Sequence, residues 1–488
     1  MAEFAIRALR DPAQFLVWNP YVGLGMPVLG DPSSLVFSPW FMPWFLLFGP
    51  ENGLRVIISL SVICSGVSMW MLLRFFSLST HISQWGGVLY GTSGAIAAMV
   101  ASGHIEKLPT YVLAPIVFMI LLGPGSSFAN SALLGLIFAT LFFSVDFYGV
   151  WFFSLFWLAF RLYDLFTKKR GMGELGKEAV SIYGMFLVFA MPKLIPFVRD
   201  VLPHFNRLSY INPFEGSLHA IFLPLSYIIP WQVMFYDRPT LQRIVGFQYN
   251  WYEYYAFITP MALIPLYFWR PVLKNRVVIY CLISIALGAL YLALAYPYSP
   301  FHWIFQSVSF ARTFRVPQRI VVPLLVPLML LIALCLEYMI RRFPAWRTRI
   351  LIGICAASCV WTYGMSFLTM KTAFAPNRSI EESVATDLRA ADSGKFYVVN
   401  LSCCMQPYLL KASIPVLNYY YGWSPVGVPT YKNTAGDAYD FSVFTYMRPT
   451  YIIAPSATDM SAYGYSVFLV RGTIRVWKTD SPTIFPSI

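Results

Sequence analysis

The sequence contains few charged residues. Asp, Glu, Lys and Arg make up 12% of its 488 residues, whereas hydrophobic residues make up 58%, and the mean hydropathy is +0.61. Soluble domains carry about 25% charged residues and cannot bury this much apolar surface. The composition therefore excludes a soluble enzyme and is that of a polytopic α-helical membrane protein. A membrane β-barrel is disfavoured, because its strands alternate in hydrophobicity and give no long apolar runs.

Sequence signatures of soluble enzymes are also missing. The chain has no phosphate-binding loop, no G-x-G-x-x-G after a strand, no H-E-x-x-H and no G-x-S-x-G. The seven cysteines are scattered and show no spacing typical of zinc or haem sites. Cys403 and Cys404 are adjacent in a polar region, where a disulfide is not expected because it would close a strained ring.

Ten apolar stretches approach the length of roughly 20 residues that a membrane-spanning helix needs. They are residues 54–76, 82–101, 109–122, 127–144, 148–166, 178–199, 256–269, 277–296, 319–340 and 349–370. The stretches 109–122 and 256–269 are short, and each is interpreted either as a longer helix with a polar end or as a re-entrant segment. The predicted fold is an all-α polytopic membrane bundle of about ten transmembrane helices.

Basic residues lie on alternate connections between these stretches. They are Arg74, residues 168–170 with Lys177, Arg270, Lys274 and Arg276, and Arg341, Arg342, Arg347 and Arg349. The positive-inside rule assigns these connections to the cytoplasm. Residues 1–53, the 102–108 turn, the turn around Asp146, residues 200–255 and 297–318 and the tail then lie outside.

This orientation places the N-terminal segment outside the membrane. Met1–Arg10 does not have the pattern of a signal peptide. An external N-terminal loop normally follows a helix that carried it across, so we expect a first transmembrane helix upstream of Met1. The alternative is an external N-terminus inserted without such a helix.

The tail differs in composition from the rest of the chain. From about residue 372 it is polar and rich in tyrosine, with short strand-like runs at 396–399, 451–453, 465–470 and 473–477. Three domains are therefore predicted. Residues 1–53 form an extracytoplasmic first loop with interfacial segments, residues 54–371 a transmembrane domain that includes the external 200–255 loop, and residues 372–488 a small extracytoplasmic α/β or β domain.

The turn at 102–108 carries a histidine and a carboxylate two residues apart. His104 and Glu106 lie between two apolar stretches on the predicted external face. Such a pair at the membrane edge suits a phosphate site, a metal site or a proton transfer. A capped helix–helix turn with no chemical role is the alternative.

Three arginines precede a very apolar stretch on the predicted external side, against the positive-inside trend. Arg312, Arg315 and Arg319 are spaced over eight residues. Guanidinium groups suit phosphate and pyrophosphate, so we interpret these arginines as a phosphate site, with lipid-headgroup anchoring as the alternative. In the amphipathic 200–255 loop, Glu253 stands out at the head of a span.

Four short motifs occur together and in a fixed order. They are W-N-P-Y followed by G-x-P within 18–27, S-G-H-I-E-K-L at 102–108, W-Y-E-Y-Y at 251–255 and F-R-V-P-Q-R at 314–319. With Y-G-W-S-P at 421–425 and V-W-K at 476–478, they resemble the YfhO-like membrane proteins over nearly the whole chain. Each motif alone is short, and their order carries the resemblance.

The resemblance implies an activity. The YfhO-like family is placed with the GT-C glycosyltransferases, multi-helix membrane enzymes that take a sugar from a polyprenyl-phosphate-linked donor at the external membrane face. Sugar transfer of this kind needs a carboxylate to deprotonate the acceptor hydroxyl and cations to hold the phosphate leaving group. An acid in the first external loop typically serves as base, and in some members it helps bind a metal.

Candidate residues for these roles lie on the predicted external face. The candidate catalytic acids are Asp11, Asp31, Glu106 and Glu253. The candidate substrate- or phosphate-binding residues are Trp18, Asn19, His104, Arg312, Arg315 and Arg319. None of the first-loop acids is matched to the family's acidic position, and a divalent cation, Mg²⁺ or Mn²⁺, is the only cofactor that the resemblance suggests.

The expected partners are a polyprenyl-phosphate-linked sugar, membrane lipids and an acceptor that is an envelope polymer, lipid or protein. The formal net charge of +13 is assigned to cytoplasmic loops and anionic lipid or phosphate, and no nucleic acid is expected. Two other functions stay open. A transporter or flippase of lipid-linked sugars would need ionisable groups near the middle of the membrane, where Lys193 is the main example. A non-catalytic membrane scaffold would need no catalytic acid.

Overall fold

The computed structural model describes most of the membrane region and part of the tail. The described residues are 18–19, 26–27, 35, 37–123, 127–201, 227, 256–295, 303, 307, 317–373, 379–391, 398–400, 409, 414, 449–455, 458–472 and 474–479. Asp11, Asp31, Glu253, Arg312, Arg315, Cys403 and Cys404 lie outside them.

The described chain is mostly helical. Its α-helices are α1 (Met42–Phe75), α2 (Thr80–Gly91), α3 (Gly94–Ser102), α4 (Leu108–Leu122), α5 (Phe128–Phe143), α6 (Phe147–Phe166), α7 (Met172–Pro196), α8 (Trp269–Val272), α9 (Arg276–Ala295), α10 (Val321–Arg342), α11 (Arg347–Ile350), α12 (Ala357–Ala373) and α13 (Ser379–Ala391). Shorter 3₁₀ and π segments extend some of them, including a π-helix Leu351–Ala356 between α11 and α12.

Seven helical segments in the described part are long and apolar enough to cross a membrane. They are Asn52–Phe75, Ile105–Leu122, Phe147–Phe166, Met172–Arg199, Arg276–Leu294, Val321–Arg342 and Pro344–Leu368. Phe128–Phe143 is a shorter apolar helix. The predicted polytopic helical membrane fold is therefore confirmed, and the protein is a membrane protein.

The stretch 82–101, expected as one span, is two helices. α2 ends at Gly91 and α3 begins at Gly94. The hydroxyl groups of Ser and Thr side chains can compete with the backbone hydrogen bonds of a helix. At this break, Thr92 Oγ1 donates to Val88 O (2.8 Å). The polar groups freed by the break are satisfied, because Ser366 Oγ donates to Thr92 O (2.7 Å) and Gly94 N donates to Phe257 O (2.8 Å).

The stretch 256–269 is neither a full span nor a longer helix. Residues 256–259 are irregular, Pro260–Phe268 form a 3₁₀-helix, and the short helix α8 follows. Pro260 and Pro265 have no amide hydrogen to donate, so a regular α-helix is disfavoured here.

Helices α1 and α2 approach each other at glycines. A Cβ added to Gly87 would lie 2.7 Å from Gly66 O, and one added to Gly91 would lie 2.9 Å from Val62 O. The two backbones are therefore in direct contact, as at the small-residue seams of membrane helices. Among the seven spans of the described part, α10 is the most buried, with 83% of its apolar 18-residue segment inside the protein.

A cluster of charged side chains joins four helices. Arg161 Nη2 lies 2.8 Å from Glu178 Oε1, and Arg170 Nη1 lies 2.9 Å from Glu178 Oε2. Asp164, which is fully buried, accepts from Arg161, Arg276 and the Tyr280 hydroxyl. Arg161 also donates to Leu121 O in the last turn of α4 (3.3 Å). The cluster thus ties α4, α6, α7 and α9 together.

By the density of its contacts the chain divides into two compact units. One comprises residues 37–191 and 211–374 and holds most of the membrane helices. The other comprises 1–36, 192–210 and 375–488. The domain boundaries proposed from the sequence stay a prediction.

The second unit contains a small mixed sheet. Strands β1 (Trp18–Asn19) and β2 (Met26–Pro27) form a separate pair. The strands of the mixed sheet are β3 (Val398–Asn400), β4 (Tyr451–Pro455), β5 (Ser466–Arg471) and β6 (Ile474–Lys478), in the order β3-β4-β6-β5. β3 pairs with β4 in parallel and the other pairs are antiparallel. Helix α13 packs Val384, Ala385 and Leu388 against this sheet. Each of the four strand-like runs predicted for the tail overlaps one of these strands.

The buried carboxylate of Asp164 offers a test of the charged cluster. We expect Asp164→Asn to destabilise the protein by about 1–3 kcal/mol, because it removes the buried charge that accepts from Arg161, Arg276 and Tyr280 and leaves Glu178 as the remaining carboxylate beside Arg161. Equilibrium unfolding in mixed detergent micelles measures the change. The matched control is Asp387→Asn, which breaks an exposed ion pair with Arg471 and should cost at most about 1 kcal/mol. Equal effects of the two substitutions would contradict the role given to the cluster.

Candidate functional site

A cavity lies beside the N-terminal ends of α4, α6 and α10. Its volume, as the space that the centres of water-sized molecules can occupy, is about 30 Å³. The residues that line it are Met99, Lys107, Thr110, Tyr111, Asp146, Tyr148, Gly149, Phe152, Arg319, Val322 and Pro323. Most of this surface is apolar, and the charged groups are concentrated in Lys107, Asp146 and Arg319.

Asp146 organises one wall of the cavity. Its carboxylate caps the N-terminus of α6 by accepting the Gly149 amide (3.2 Å). It also accepts the Lys107 ammonium (3.0 Å) and the Thr110 hydroxyl. Negative charge at a helix N-terminus is stabilised by the helix dipole. Asp146 is therefore fixed by donors from three directions and holds Lys107 at the cavity wall.

Val145 has an uncommon backbone conformation next to this carboxylate. Its φ is +67°, and β-branched residues rarely adopt this left-handed region. Its amide donates to Phe142 O and the Asp146 amide donates to Leu141 O, which ends α5. Besides its bond to Asp146, Lys107 Nζ donates a hydrogen bond to the Val145 carbonyl (3.3 Å). The strained turn thus contributes a direct contact to the lysine.

Tyr148 carries two cations against one ring. Lys107 Nζ lies 5.5 Å and Arg319 Cζ lies 4.4 Å from its ring centroid. Cations over an aromatic ring are attracted by its quadrupole. The attraction of both cations to the ring therefore offsets part of the repulsion between them.

The His104–Glu106 pair lies next to this cluster in the chain. Gly103 ends α3 in the left-handed conformation, with φ +77°, and the His104 amide donates to Met99 O (2.9 Å). His104 Nδ1 is 2.7 Å from Glu106 Oε1, and both side chains are about one-fifth exposed. The pair is connected to two cavity-lining residues, because the His104 amide donates to Met99 O and Glu106 directly precedes Lys107 in the chain. The pair does not itself line the cavity.

A metal site can be tested against these donors. His104 and Glu106 supply two candidate ligands. Among the residues that the structure describes, no group of three or more His, Cys, Asp and Glu side chains could hold a metal ion. The described donors therefore do not form a complete set for Mg²⁺ or Mn²⁺, and no chemical step is assigned to a metal.

The structure places the predicted site residues in three groups. Arg319 lines the cavity, and His104 and Glu106 lie beside it. Trp18 and Asn19 form strand β1, which pairs with β2 (Met26–Pro27) in antiparallel register; their side chains are outside the described part. Asp11, Asp31, Glu253, Arg312 and Arg315 are outside the described residues, and all the roles assigned from the sequence stay predictions.

Sequence reasoning missed three residues of the cavity as candidates. In the sequence Lys107 stands out only as part of a motif and Asp146 only as the centre of a turn, and nothing singles out Tyr148. Asp146 did leave a signal, because it is the one acid between the apolar stretches 127–144 and 148–166 and lies on the same predicted face as 102–108. Proximity of the two turns, which the sequence does not state, makes the signal meaningful.

Comparisons with known proteins give a likeness in structure. No family model and no curated protein matches the sequence. The chain is similar to the crystal structure of ArnT from Cupriavidus metallidurans bound to undecaprenyl phosphate, with a TM-score of 0.55, 14% identity, and coverage of 98% of this chain and 92% of that chain. The apo state of that protein gives a TM-score of 0.56 with the same identity and coverage.

At this identity the likeness shows the fold alone. The chain has the GT-C fold of ArnT, as the sequence resemblance implied. Membership of the YfhO-like family stays a prediction.

Gly149 provides a test of the packing at the cavity. A Cβ at this position would lie 2.6 Å from Thr110 Oγ1 and 3.2 Å from Leu141 Cδ1. Gly149→Ala should therefore displace the N-terminus of α6 and destabilise the protein by about 1–3 kcal/mol, measured as a shift of the unfolding midpoint. Gly184→Ala is the matched control, because a Cβ there meets nothing within 4 Å, and alanine should be neutral or stabilising in helix α7. A neutral Gly149→Ala would mean that this contact is looser than described.

Proposed function

We propose that the protein is a membrane glycosyltransferase. In this proposal it transfers a sugar from a polyprenyl-phosphate-linked donor to a cell-envelope acceptor at the extracytoplasmic face. One observation carries the proposal: Lys107 and Arg319 flank one aromatic ring at the wall of a cavity in a GT-C fold. The similar ArnT structure was solved with undecaprenyl phosphate, and the same ligand class is proposed for this chain.

The two cations suit a phosphate leaving group. When the bond between the sugar and the phosphate breaks, negative charge grows on the phosphate oxygens. Cations already held in place stabilise that charge without having to reorganise. Lys107 is held by Asp146 and Val145 O, and the Arg319 guanidinium lies over the Tyr148 ring. Arg315 and Arg312 are proposed to extend this phosphate site.

The apolar part of the cavity suits the first carbons of a lipid. Met99, Phe152, Val322 and Pro323 lie on its wall. A lipid phosphate needs both environments at once, because its charged end must meet cations while its chain stays out of water. Free sugar phosphates would gain nothing from the apolar wall.

Transfer also requires a base. The acceptor hydroxyl must lose its proton as its oxygen bonds to the anomeric carbon and the bond from that carbon to the phosphate oxygen breaks. Asp146 is engaged by three donors, which suits it to positioning Lys107 and not to this role. The proposed bases stay Asp11, Asp31, Glu106 and Glu253, with His104 beside Glu106.

The side of the membrane is part of the proposal. The basic connections assign the cavity ends of α4 and α6 to the extracytoplasmic face and the tail to the same side. The two alternative functions, a transporter and a scaffold, would give different results in an assay. A transporter would move a lipid-linked sugar across the membrane without releasing free undecaprenyl phosphate. A scaffold would bind neither the lipid-linked sugar nor undecaprenyl phosphate.

Arg319 provides the direct test of the phosphate site. Arg319→Ala should weaken binding of undecaprenyl phosphate about ten- to hundredfold, because it removes a charged donor from the phosphate. Release of undecaprenyl phosphate from a lipid-linked sugar mixture, followed by mass spectrometry in proteoliposomes, should fall in parallel.

The matched control is Arg349→Ala. The Arg349 guanidinium also lies over an aromatic ring, 5.0 Å from the Trp346 ring centroid, but it does not line the cavity. This variant should bind like the unchanged protein. An equal loss of affinity in both variants would show that overall charge, and not a site at Arg319, causes the effect. Absence of undecaprenyl phosphate binding by the unchanged protein would overturn the proposed function.

Substitutions of Tyr148 test whether its ring positions Lys107 and Arg319. Tyr148→Phe keeps the ring and should keep the affinity for undecaprenyl phosphate. Tyr148→Leu removes both cation–π contacts and should lower the affinity between about twofold and thirtyfold. A series of fluorinated phenylalanines at this position should give intermediate values that fall with each fluorine. Equal affinities of the Phe and Leu variants would contradict an electrostatic role for the ring.

A further inference from the structure

We propose that the charged cluster at the far ends of α4 and α6 forms a binding site for the headgroup of an anionic phospholipid. The cluster and the cavity lie at opposite ends of these helices, because Lys107 precedes α4 and Leu121 lies in its last turn. The two are separated by about 20 Å along α4, from the rise of 1.5 Å per residue. The proposed lipid site therefore does not depend on the proposed function.

Two cations flank a pair of tyrosine rings that bridges α6 and α9. Lys169 Nζ lies 5.3 Å from the Tyr163 ring centroid, and Arg276 Cζ lies 5.1 Å from the Tyr280 ring centroid. The two rings meet edge to face, with centroids 5.5 Å apart. The ammonium and guanidinium groups thus lie over two adjoining aromatic rings.

The cluster carries excess positive charge. Its basic side chains are Arg161, Lys168, Lys169, Arg170 and Arg276, and its acids are Asp164 and Glu178. The two carboxylates are already satisfied by Arg161, Arg170 and Arg276. Five cations against two carboxylates give these side chains a net charge of +3, which favours an anion at their surface.

The backbone turn at the end of α6 presents the lysines outward. The Lys169 amide donates to Asp164 O (2.8 Å) and the Lys168 amide donates to Leu165 O (2.9 Å). Lys168 adopts the left-handed conformation, with φ +55°, that often closes a helix. Both lysine side chains are exposed, and 48% of the Arg276 side chain is exposed.

Apolar side chains beside the cations favour a lipid over a soluble anion. On α6, a membrane-spanning helix, Phe166 is 80% exposed and Leu162 is 38% exposed. Exposed apolar groups on a spanning helix face acyl chains, and tyrosines are typical of the headgroup level. A phosphodiester at the two cations would place its acyl chains along Leu162 and Phe166. Basic pockets between transmembrane helices bind anionic headgroups in this way.

The test compares two lysines on the same helical hairpin. Lys169→Ala should weaken retention of phosphatidylglycerol about fivefold, from the roughly 1 kcal/mol that each basic residue contributes near an anionic membrane surface. Native mass spectrometry of the full protein, titrated with phosphatidylglycerol or phosphatidylcholine, measures the retention. Lys177→Ala removes the same charge from an exposed position in α7 and should leave the retention unchanged. Lys169→Arg should restore it.

Three results would overturn the proposal. Equal retention of phosphatidylglycerol and phosphatidylcholine by the unchanged protein would show that no anionic headgroup is selected. Equal losses in Lys169→Ala and Lys177→Ala would show a diffuse effect of charge instead of a site. Displacement of phosphatidylglycerol by millimolar inorganic phosphate would show a site for soluble anions. An unchanged unfolding midpoint in Lys169→Ala keeps a loss of lipid from being attributed to misfolding.

Discussion

The cavity depends on the hydrogen bonds of one carboxylate. Asp146 caps α6, accepts the Thr110 hydroxyl of α4 and pairs with Lys107 at the head of that helix. In a membrane helix bundle such an ion would be costly unless every acceptor position found a donor. With those donors in place, the first turns of α4 and α6 are fixed to each other, and Lys107 and Tyr148 have defined positions.

Charge in this bundle is concentrated at the two ends of α4 and α6. At one end, Lys107, Arg319 and Asp146 meet beside the cavity. At the other, Arg161 and Asp164 belong to the cluster that joins α4, α6, α7 and α9. The helical segments between carry mainly apolar side chains, so the bundle is held in the middle by packing and at both ends by ion pairs. Both proposed ligands are anionic lipids, which suits cations placed at the levels of the headgroups.

Much of the fold followed from hydrophobicity. Runs of apolar residues of the right length predicted the spans, and short strand-like runs separated by turn residues predicted β3 to β6 of the tail. The break between α2 and α3 could not be predicted from length, because it depends on Ser366 from α12 and on Phe257 supplying partners for the freed backbone groups. Likewise, the 3₁₀-helix at Pro260–Phe268 has an apolar sequence like that of a span, and its prolines decide its shape.

The sequence by itself determined that this chain crosses a membrane and that polar residues such as His104, Glu106 and Arg319 stand where apolar stretches end. The length and hydrophobicity of a segment are enough for that, because the bilayer selects for both. Only the tertiary structure decided that Lys107, Asp146, Tyr148 and Arg319 meet. They come from different turns and helix ends, and Arg319 lies more than 170 residues after Asp146 in the chain. Such a meeting is set by how helices pack side by side, and the pattern along one helix carries no information about its neighbour.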